Sequence, residues 1–490
     1  MRYSLPFFLL LALLSGSMTL TAAGKLDFAT VDMLTFRCYQ ENKWDSVILV
    51  GKQALRQDID YYYLRVRMGI SYYNKSDYFH AATHLEKARQ FNSEDPLVAN
   101  YLYYAYLYSN RKEEAAVIHS FMTEEARKSA TTGKGFLQEA HVEAGMTLSS
   151  DKSPDNLGTM MGNDSIYGER DLYGNSSYSD LALKMKVSNR VSLSLAYNYL
   201  NFSKTKYIQY GHAEAHLDTI VNNEFSNDYF YSYPWTIRDT SFKYNVYQHE
   251  GYLSANIVLP WGIKIVPAVH LLHVKYAATS PRISADSASD IAYYRKADSS
   301  YHMFSYPAAQ YSFDKTDTSF NNWVVSLGLS KDFGIFNLGL NGSWSNLNGR
   351  KQKQAGISLT YFPFGNLNFY GTTIATGFFQ GKDKRLLLGQ VLGAKITPWM
   401  WAEANFYYGD YTNANIFNGS IVYNNSDIID YRGGANLVFL VGKHMSFSLI
   451  YQYFRKESQQ IYYIKSNEQK QTKTNPYNTN TIIGGFTWKF

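Results

Sequence analysis

The chain has 490 residues and a net charge of +6, spread too thinly to form a long basic run, so nucleic-acid binding has no support. Hydrophobic residues make up 45% of it while mean hydropathy is −0.33, which excludes a helical membrane bundle and suits a barrel whose lining and loops are polar. The 44 Tyr and 29 Phe are enough for aromatic girdles at both membrane interfaces, where amphipathic rings are favoured.

At the N-terminus Arg2, an apolar core from Leu5 to Leu14 and the small residues Thr21-Ala22-Ala23 predict a secretory signal peptide over residues 1–23. An apolar run of about ten residues falls short of the roughly 20 that a spanning helix needs, and no later segment reaches that length. Cys38 is too far beyond this core to be a lipoprotein cysteine and, as the only thiol, cannot form an internal disulfide. It is expected to be buried in a helix.

Residues 24–130 carry a helical pattern with an internal period. Tyr72 recurs as Tyr106 and Ala81 as Ala115, each 34 residues later. Small residues at Gly69, Ala81 and Ala88 would let paired helices approach closely. Met68-Gly69-Ile70-Ser71-Tyr72-Tyr73, followed by Asp77-Tyr78, Ala81, Leu85 and Ala88, resembles the tetratricopeptide repeat. An earlier copy keeps Ala54 and has Trp44 for Tyr78, with Val47 and Cys38 in place of Ala81 and Tyr72. The later copy has Tyr103 where the glycine stood. Two to three repeats result, an ordinary helical hairpin domain being the alternative, and either would leave a face suited to protein partners. Residues 131–135 read as a linker.

From Phe136 to Phe490 the period is two. Val191, Leu193, Leu195, Tyr197 and Tyr199 share an apolar face opposite Ser192, Ser194, Ala196 and Asn198. Phe336 to Leu340 and Met445 to Tyr451 alternate in the same way. Six turn signals separate such strands: Ser188-Asn189-Arg190, Pro260-Trp261-Gly262, Lys331 to Gly334, Pro363 to Asn366, Thr397-Pro398-Trp399 and Gly442-Lys443-His444. Twelve strands flanking six turns, with one more at each end, predict a transmembrane barrel of about 14 antiparallel strands, within a range of 12 to 16. The last strand shows Phe486, Trp488 and Phe490 on its apolar face. Longer polar, aromatic-rich segments at 203–243, 277–318 and 457–477 read as loops at the opposite end. Short turns inside and long loops outside would put the helical domain in the periplasm of a bacterial cell with the barrel in its outer membrane.

Strand parity sorts lumen from lipid. Glu139, His141, Glu143 and Thr147 on the first strand should face inward, as should Lys184 and Lys186 on the next, where Glu143 could pair with these lysines. Glu250, Lys264, His270, Trp401, Glu403, Tyr407 and Arg432 are further inward candidates of mixed charge. Trp401 and Tyr407 beside Glu403 and Asn405 could stack on a sugar or pack as lumen aromatics. His212, Glu214 and His216 share a strand face, but their ends would lie roughly 13 Å apart, too far for one ion to bind all three, so no metal is expected. His270 and His273 would face opposite sides. Asp286, Ser287 and Asp290 form no motif that selects a catalytic set, and the stretch Asn222 to Trp235 suits rim contacts with glycans or proteins.

A short repeat domain ahead of a single-chain barrel resembles exopolysaccharide exporters and the YaiO-like outer-membrane proteins. That resemblance implies repeats that gather polymer or periplasmic enzymes and a barrel that is the exit. The chain as a whole reads as a non-enzymatic barrel without cofactors, in contact with outer-membrane lipid, docking periplasmic or membrane proteins through its repeats in an export, transport or envelope-assembly system, with polysaccharide or a small solute as possible cargo. The alternatives are an accessory scaffold with a closed lumen or a barrel hydrolase.

Overall fold

The computed structural model describes residues 25–130, 135–151, 165–213, 216–232, 235–464 and 470–490. Of the His212/Glu214/His216 group only His216 has a described side chain, which is exposed; the expected signal peptide, all of the expected linker except Gly135, Glu214 and the His212 side chain lie outside the described residues or side chains. So do the side chains of Asp286, Ser287 and Asp290. Two compact units emerge: one comprises the described residues up to Ser109 with Ile118–Lys128, the other Asn110–Val117 with Ser129–Phe490.

In the helical unit, α1 (Phe28–Gln40), α2 (Trp44–Arg56), α3 (Tyr62–Asn74), α4 (Tyr78–Phe91) and α5 (Pro96–Tyr108) pack in sequence, each helix against the next. Carboxylates start three of them. Asp27 accepts from the Thr30 amide, Asp77 from that of His80, and Asp95 from those of Leu97 and Val98 with Pro96 in the first turn. Such caps are each worth about 1 kcal/mol. Asn42, Ser76 and Asn110 have φ of 52°, 60° and 59°, so the left-handed residue that breaks each hairpin recurs every 34 positions.

A Cβ on Gly69 would lie 2.6 Å from Leu85 Cγ, so α3 and α4 approach only because that side chain is missing. Tyr72, Ala81, Ala88 and Tyr106 are buried in this unit, and Ala115 is buried as well. His84 stacks on Tyr72 and accepts at Nδ1 from Arg65, always a donor, so its ring is neutral; burial pushes its pKa down to about 3. Cys38 is half-buried rather than buried.

The second unit is a closed transmembrane barrel. Its sheet holds sixteen strands, of which the pair His216–Asn222 and Ser226–Ser232 forms a hairpin beyond the wall, leaving fourteen in the wall. These are β1 (Leu137–Ser149), β2 (Ser165–Lys186), β3 (Val191–Ala213), β4 (Trp235–Val258), β5 (Ile263–Arg295), β6 (Ser300–Phe333) and β7 (Phe336–Ser345). They continue with β8 (Gln352–Tyr361), β9 (Phe369–Gln380), β10 (Asp383–Thr397), β11 (Met400–Tyr408), β12 (Ile428–Val441), β13 (Met445–Ile464) and β14 (Lys470–Lys489). Neighbours are antiparallel throughout, and β1 closes on β14 with Val142 opposite Phe486 and Ala140 opposite Trp488.

All six sequence turns fall between strands, at one end of the barrel, here the turn end; the turn at Gly334 is shorter than expected because β6 runs on to Phe333. Val142, Met146, Leu195, Leu340, Leu449 and Ile482 point outward and are exposed, an apolar belt for lipid. Phe486 packs on Phe447, and Trp488 stacks on His444.

The opposite end, here the loop end, differs from expectation. Residues 203–243, 277–318 and 457–477 are mostly continuations of strands rather than loops. β5 and β6 run for 33 and 34 residues, whereas about 9–11 span a bilayer, so this hairpin projects far past the belt. These extensions lack the strict alternation of a lipid-facing strand, yet the ladder Ala277↔Asp317 to Ser280↔Asp314 persists, with Tyr311 packed on Tyr210 and Phe313 on Phe242.

Candidate functional site in the barrel lumen

The connection from β11 to β12, residues 409–427, folds into the barrel. Asn415–Ile416 pair with Ile421–Val422, and Phe417, Asn418 and Gly419 turn the tip with φ of 52°, 54° and 77°. In a wall of fourteen strands, β4 and β5 stand opposite β11 and β12. The tip reaches them and the adjacent β6: the Asn418 carbonyl accepts from Tyr252 (3.4 Å) and Ser326 (2.6 Å), and His270 Nδ1 lies 2.7 Å from the Gly419 carbonyl. The segment therefore crosses the lumen.

Amides hold its middle. Gln354 accepts from the Asn415 amide at 2.9 Å and donates to its carbonyl at 2.8 Å, while the Asn415 side chain donates to Ser343 at 3.0 Å. Asn348, at φ 50° between β7 and β8, donates to Asn413 (2.6 Å) and the Asn425 carbonyl (2.9 Å), and Asn424 donates to Asn322 at 3.1 Å. Tyr411, Ala414 and Tyr423 bury against Phe378, Leu387 and Tyr407 on the wall. At the stems Asp410 pairs with Arg385 at 2.5 Å and Asp427 accepts from Tyr477 at 2.6 Å.

A second segment closes on the turn end. Asn110–Val117, which includes most of α6 (Lys112–Ile118), meets inward residues of β2, β3, β5 and β6. Glu113 contacts Lys184 at 3.4 Å and accepts from Ser192 at 2.9 Å. Arg111 pairs with Glu114 at 2.6 Å and lies 3.5 Å from Asp332. Lys264 completes the square, 3.2 Å from Glu114 and 3.3 Å from Asp332. Arg111, Glu114 and Asp332 are each 8% exposed or less, so these charges satisfy one another largely out of water. Burial pushes Glu113 up, but Lys184, a backbone amide and Ser192 outweigh it and hold the carboxyl below its usual range.

The lumen candidates distribute over both devices. Lys264 and Lys184 belong to the turn-end network, whereas Glu250 and His270 support the crossing segment, His270 Nε2 lying 2.9 Å from Glu250. His270 is fully buried and His273 is on the outer side beside Asn321, as their odd spacing implies. The expected pairing of Glu143 with the lysines is replaced: Glu143 lies 2.9 Å from His141, itself 2.7 Å from Thr487, while Lys184 turns to Glu113. Glu139 and Lys186 are half-buried, Glu139 opposite Lys184 and Lys489 and Lys186 opposite Ser192.

Sugar stacking on Trp401 and Tyr407 meets an obstacle. The Tyr407 ring already carries the Arg432 guanidinium at 4.1 Å, packs over Gly389 and meets Tyr411 and Phe417 edge-on, and Lys395 sits 4.9 Å over Trp401. Arg432, 4% exposed, also stacks on Tyr423, and Glu403 accepts from Tyr370 at 2.7 Å. The amide network of residues 409–427 and the carboxylates of Glu113 and Glu114 were not among the sequence candidates. The available signals were a run with three left-handed-prone Asn and Gly residues at 413, 418 and 419, and an acidic pair beside Asn110.

Fold and lumen together define a fourteen-stranded transmembrane β-barrel with a segment folded through its interior. No protein-family model matches the sequence, and no curated protein matches it significantly. Some solved structures are similar to it at low identity. A FadL homologue from Pseudomonas aeruginosa is 9% identical, with 81% of this chain and 94% of that chain covered and a TM-score of 0.39. The Pseudomonas putida toluene transporter TodX is 7% identical over 73% of this chain and 90% of its own, with a TM-score of 0.35. Omp33 from Acinetobacter baumannii is 9% identical over 73% and 100%, with a TM-score of 0.29.

Proposed function

We propose that this chain is a non-enzymatic outer-membrane barrel that passes a solute through a lumen closed at rest by residues 409–427, with its helical unit in the periplasm docking protein partners. One observation carries the reading: the interior is crossed by a separate connection, whose tip is tethered to the opposite wall through hydrogen bonds from Tyr252, His270 and Ser326 to its backbone carbonyls. A barrel needed only as a membrane anchor can fill its lumen with wall side chains. A crossing segment with interchangeable polar contacts can leave and return, because each such bond contributes only about 1 kcal/mol net against water.

The test is single-channel conductance in planar bilayers, comparing the full chain with a variant whose residues 412–425 are replaced by a short Gly-Ser linker. Steady conductance in the variant and rare openings in the parent support passage. If neither opens, the second reading stands, that of an accessory scaffold whose lumen stays closed; the same crossing segment favours it. The 34-residue recurrence of Asn42, Ser76 and Asn110 supports a tetratricopeptide-like stack as the docking element. Deleting residues 30–128 and repeating an affinity pull-down from solubilised envelopes should remove partners; an unchanged set of co-purifying proteins would count against recruitment.

A further inference from the structure

On the turn-end side of the tip, between residues 415–418 and strands β6 to β9 and β11, lies a cavity of about 190 Å³. This is room for roughly six waters at about 30 Å³ each, far below the space a drug-sized ligand takes. None of its lining residues is charged. Its polar groups converge because the wall there lacks Cβ atoms. Gly356 pairs with Asn341 on β7 and Thr376 on β9, and a Cβ on it would lie 2.6 Å from both Asn341 Oδ1 and Thr376 Oγ1. A Cβ on Gly339 would lie 2.4 Å from Ser358 Oγ. Among the described residues none of these three side chains forms a hydrogen bond with protein, so two hydroxyls and a carboxamide, each both donor and acceptor, face the space. Ile374 and Phe417 add apolar surface.

We propose that this cavity is a binding site for a compact, neutral, polyhydroxylated solute of the pyranose class. A pyranose ring presents hydroxyls around its rim and C–H groups on its faces, matching a ring of unpaired hydroxyl and amide groups beside aliphatic and aromatic carbon. Anions are disfavoured because no cation lines the space, and a purely apolar solute would leave three polar groups unpaired, at about 1–3 kcal/mol each. The proposal deepens the transport reading and rests on it for the meaning of the site, since the crossing segment supplies Phe417 and the wall supplies the polar groups.

The experiment is saturation-transfer NMR and calorimetry on the full chain in a sugar-free detergent, with methyl glucoside, methyl galactoside, a uronate of matched size and toluene as probes. Saturable binding of at least one neutral pyranoside, weakened tenfold or more by the double variant Thr376→Val with Ser358→Ala and abolished by Ile374→Trp, is the expected result. No saturable pyranoside binding, a preference for the uronate or toluene, or binding indifferent to Ile374→Trp would overturn it. Leu449→Ala on the lipid face should leave binding unchanged, and the heat-modifiable band on gels confirms that each variant is folded. Binding by a chain that never conducts would defeat passage while leaving the site intact. Conductance without pyranoside binding would do the reverse.

Discussion

Two segments approach the lumen, and they are built from opposite chemistry. Residues 110–117 present four consecutive charged side chains, Arg111 to Glu114, and meet the wall through Lys184, Lys264 and Asp332. Residues 409–427 carry only Asp410 and Asp427, at their stems, and cross the barrel mainly on Asn, Gln, Ser, Tyr and backbone carbonyls, with Arg385 at one stem, Arg432 against Tyr423 and His270 at the tip as the charged or ionisable wall partners. Buried charges that satisfy one another hold strongly because separating them strands a charge, at about 3–5 kcal/mol for a broken pair. Neutral amides exchange protein for water at far lower cost. The ionic segment is thus suited to anchoring and the neutral one to moving.

The largest expected effect is on the neutral segment as a whole. Replacing residues 412–425 with a Gly-Ser linker should convert sparse openings into steady conductance, while replacing Asn110–Val117 should change conductance much less and loosen the helical segment instead. A larger gain from the turn-end replacement, read in the same bilayer recordings, would reverse the assignment of which segment gates. Next comes Arg111→Ala, which leaves Glu114 and Asp332 sharing Lys264. It should destabilise the turn-end segment by about 3–5 kcal/mol, seen as faster hydrogen exchange across 110–117 with no change across 409–427. Uniform change in both segments would mean they are coupled.

Acid should act on the two in opposite directions. Burial pushes the Asp427 carboxyl up, only partly offset by Tyr477 and by Lys204 and Lys456. A carboxyl raised on folding favours the protonated form, so its penalty is complete above its folded pKa and disappears as pH falls towards and below the ordinary value; the stem tightens in acid. Glu113 is lowered, so its stabilisation is present above the ordinary carboxylate value and is lost as pH falls through the folded one; the turn-end segment loosens in acid. Hydrogen exchange corrected for intrinsic rates, between pH 7 and pH 3, should show the two trends, and Asp427→Asn and Glu113→Gln should flatten each in turn. Parallel trends would remove the contrast. In the helical unit His84 gives a third slope: its pKa near 3 lies below the ordinary value of 6.5, so stability falls from pH 6.5 downward, and His84→Phe should abolish that dependence.

How much of this was legible follows from period. Alternation such as Val191 to Tyr199, bounded by Ser188-Asn189-Arg190, reveals strands because one face meets lipid, and the parity of six turns carries the strand count. Past the belt neither face of β5 and β6 is bound to meet lipid, so residues 277–318 lose the alternating signal although the ladder continues. Residues 409–427 have the Asn, Gly and Tyr content of a surface loop. Whether such a loop points out or in depends on partners such as Gln354 and Ser326, which are scattered over strands far apart in sequence. Glu113 and Glu114 fit a helical repeat equally well, so only the lysines they meet reveal their second role.

The smallest effect separates the two chemistries most cleanly. Asn348 donates to Asn413 and to the Asn425 carbonyl, and its backbone amide donates to the Asn424 side-chain carbonyl at 3.2 Å. Asn348→Ala removes the side-chain bonds, one of them to the buried Asn413, and at φ 50° Ala also tolerates the backbone less well than Asn. A loss of about 1–3 kcal/mol in local stability is expected, measured by hydrogen exchange at residues 411–425. Because neither donor nor acceptor is ionised, that loss should be the same in 50 mM and 500 mM salt, whereas exposed ends of an ionic contact are screened within about 10 Å at 0.1 M. A salt-dependent Asn348 effect would mean that the crossing segment is held by charge after all, and the distinction between an anchoring and a moving segment would fall with it.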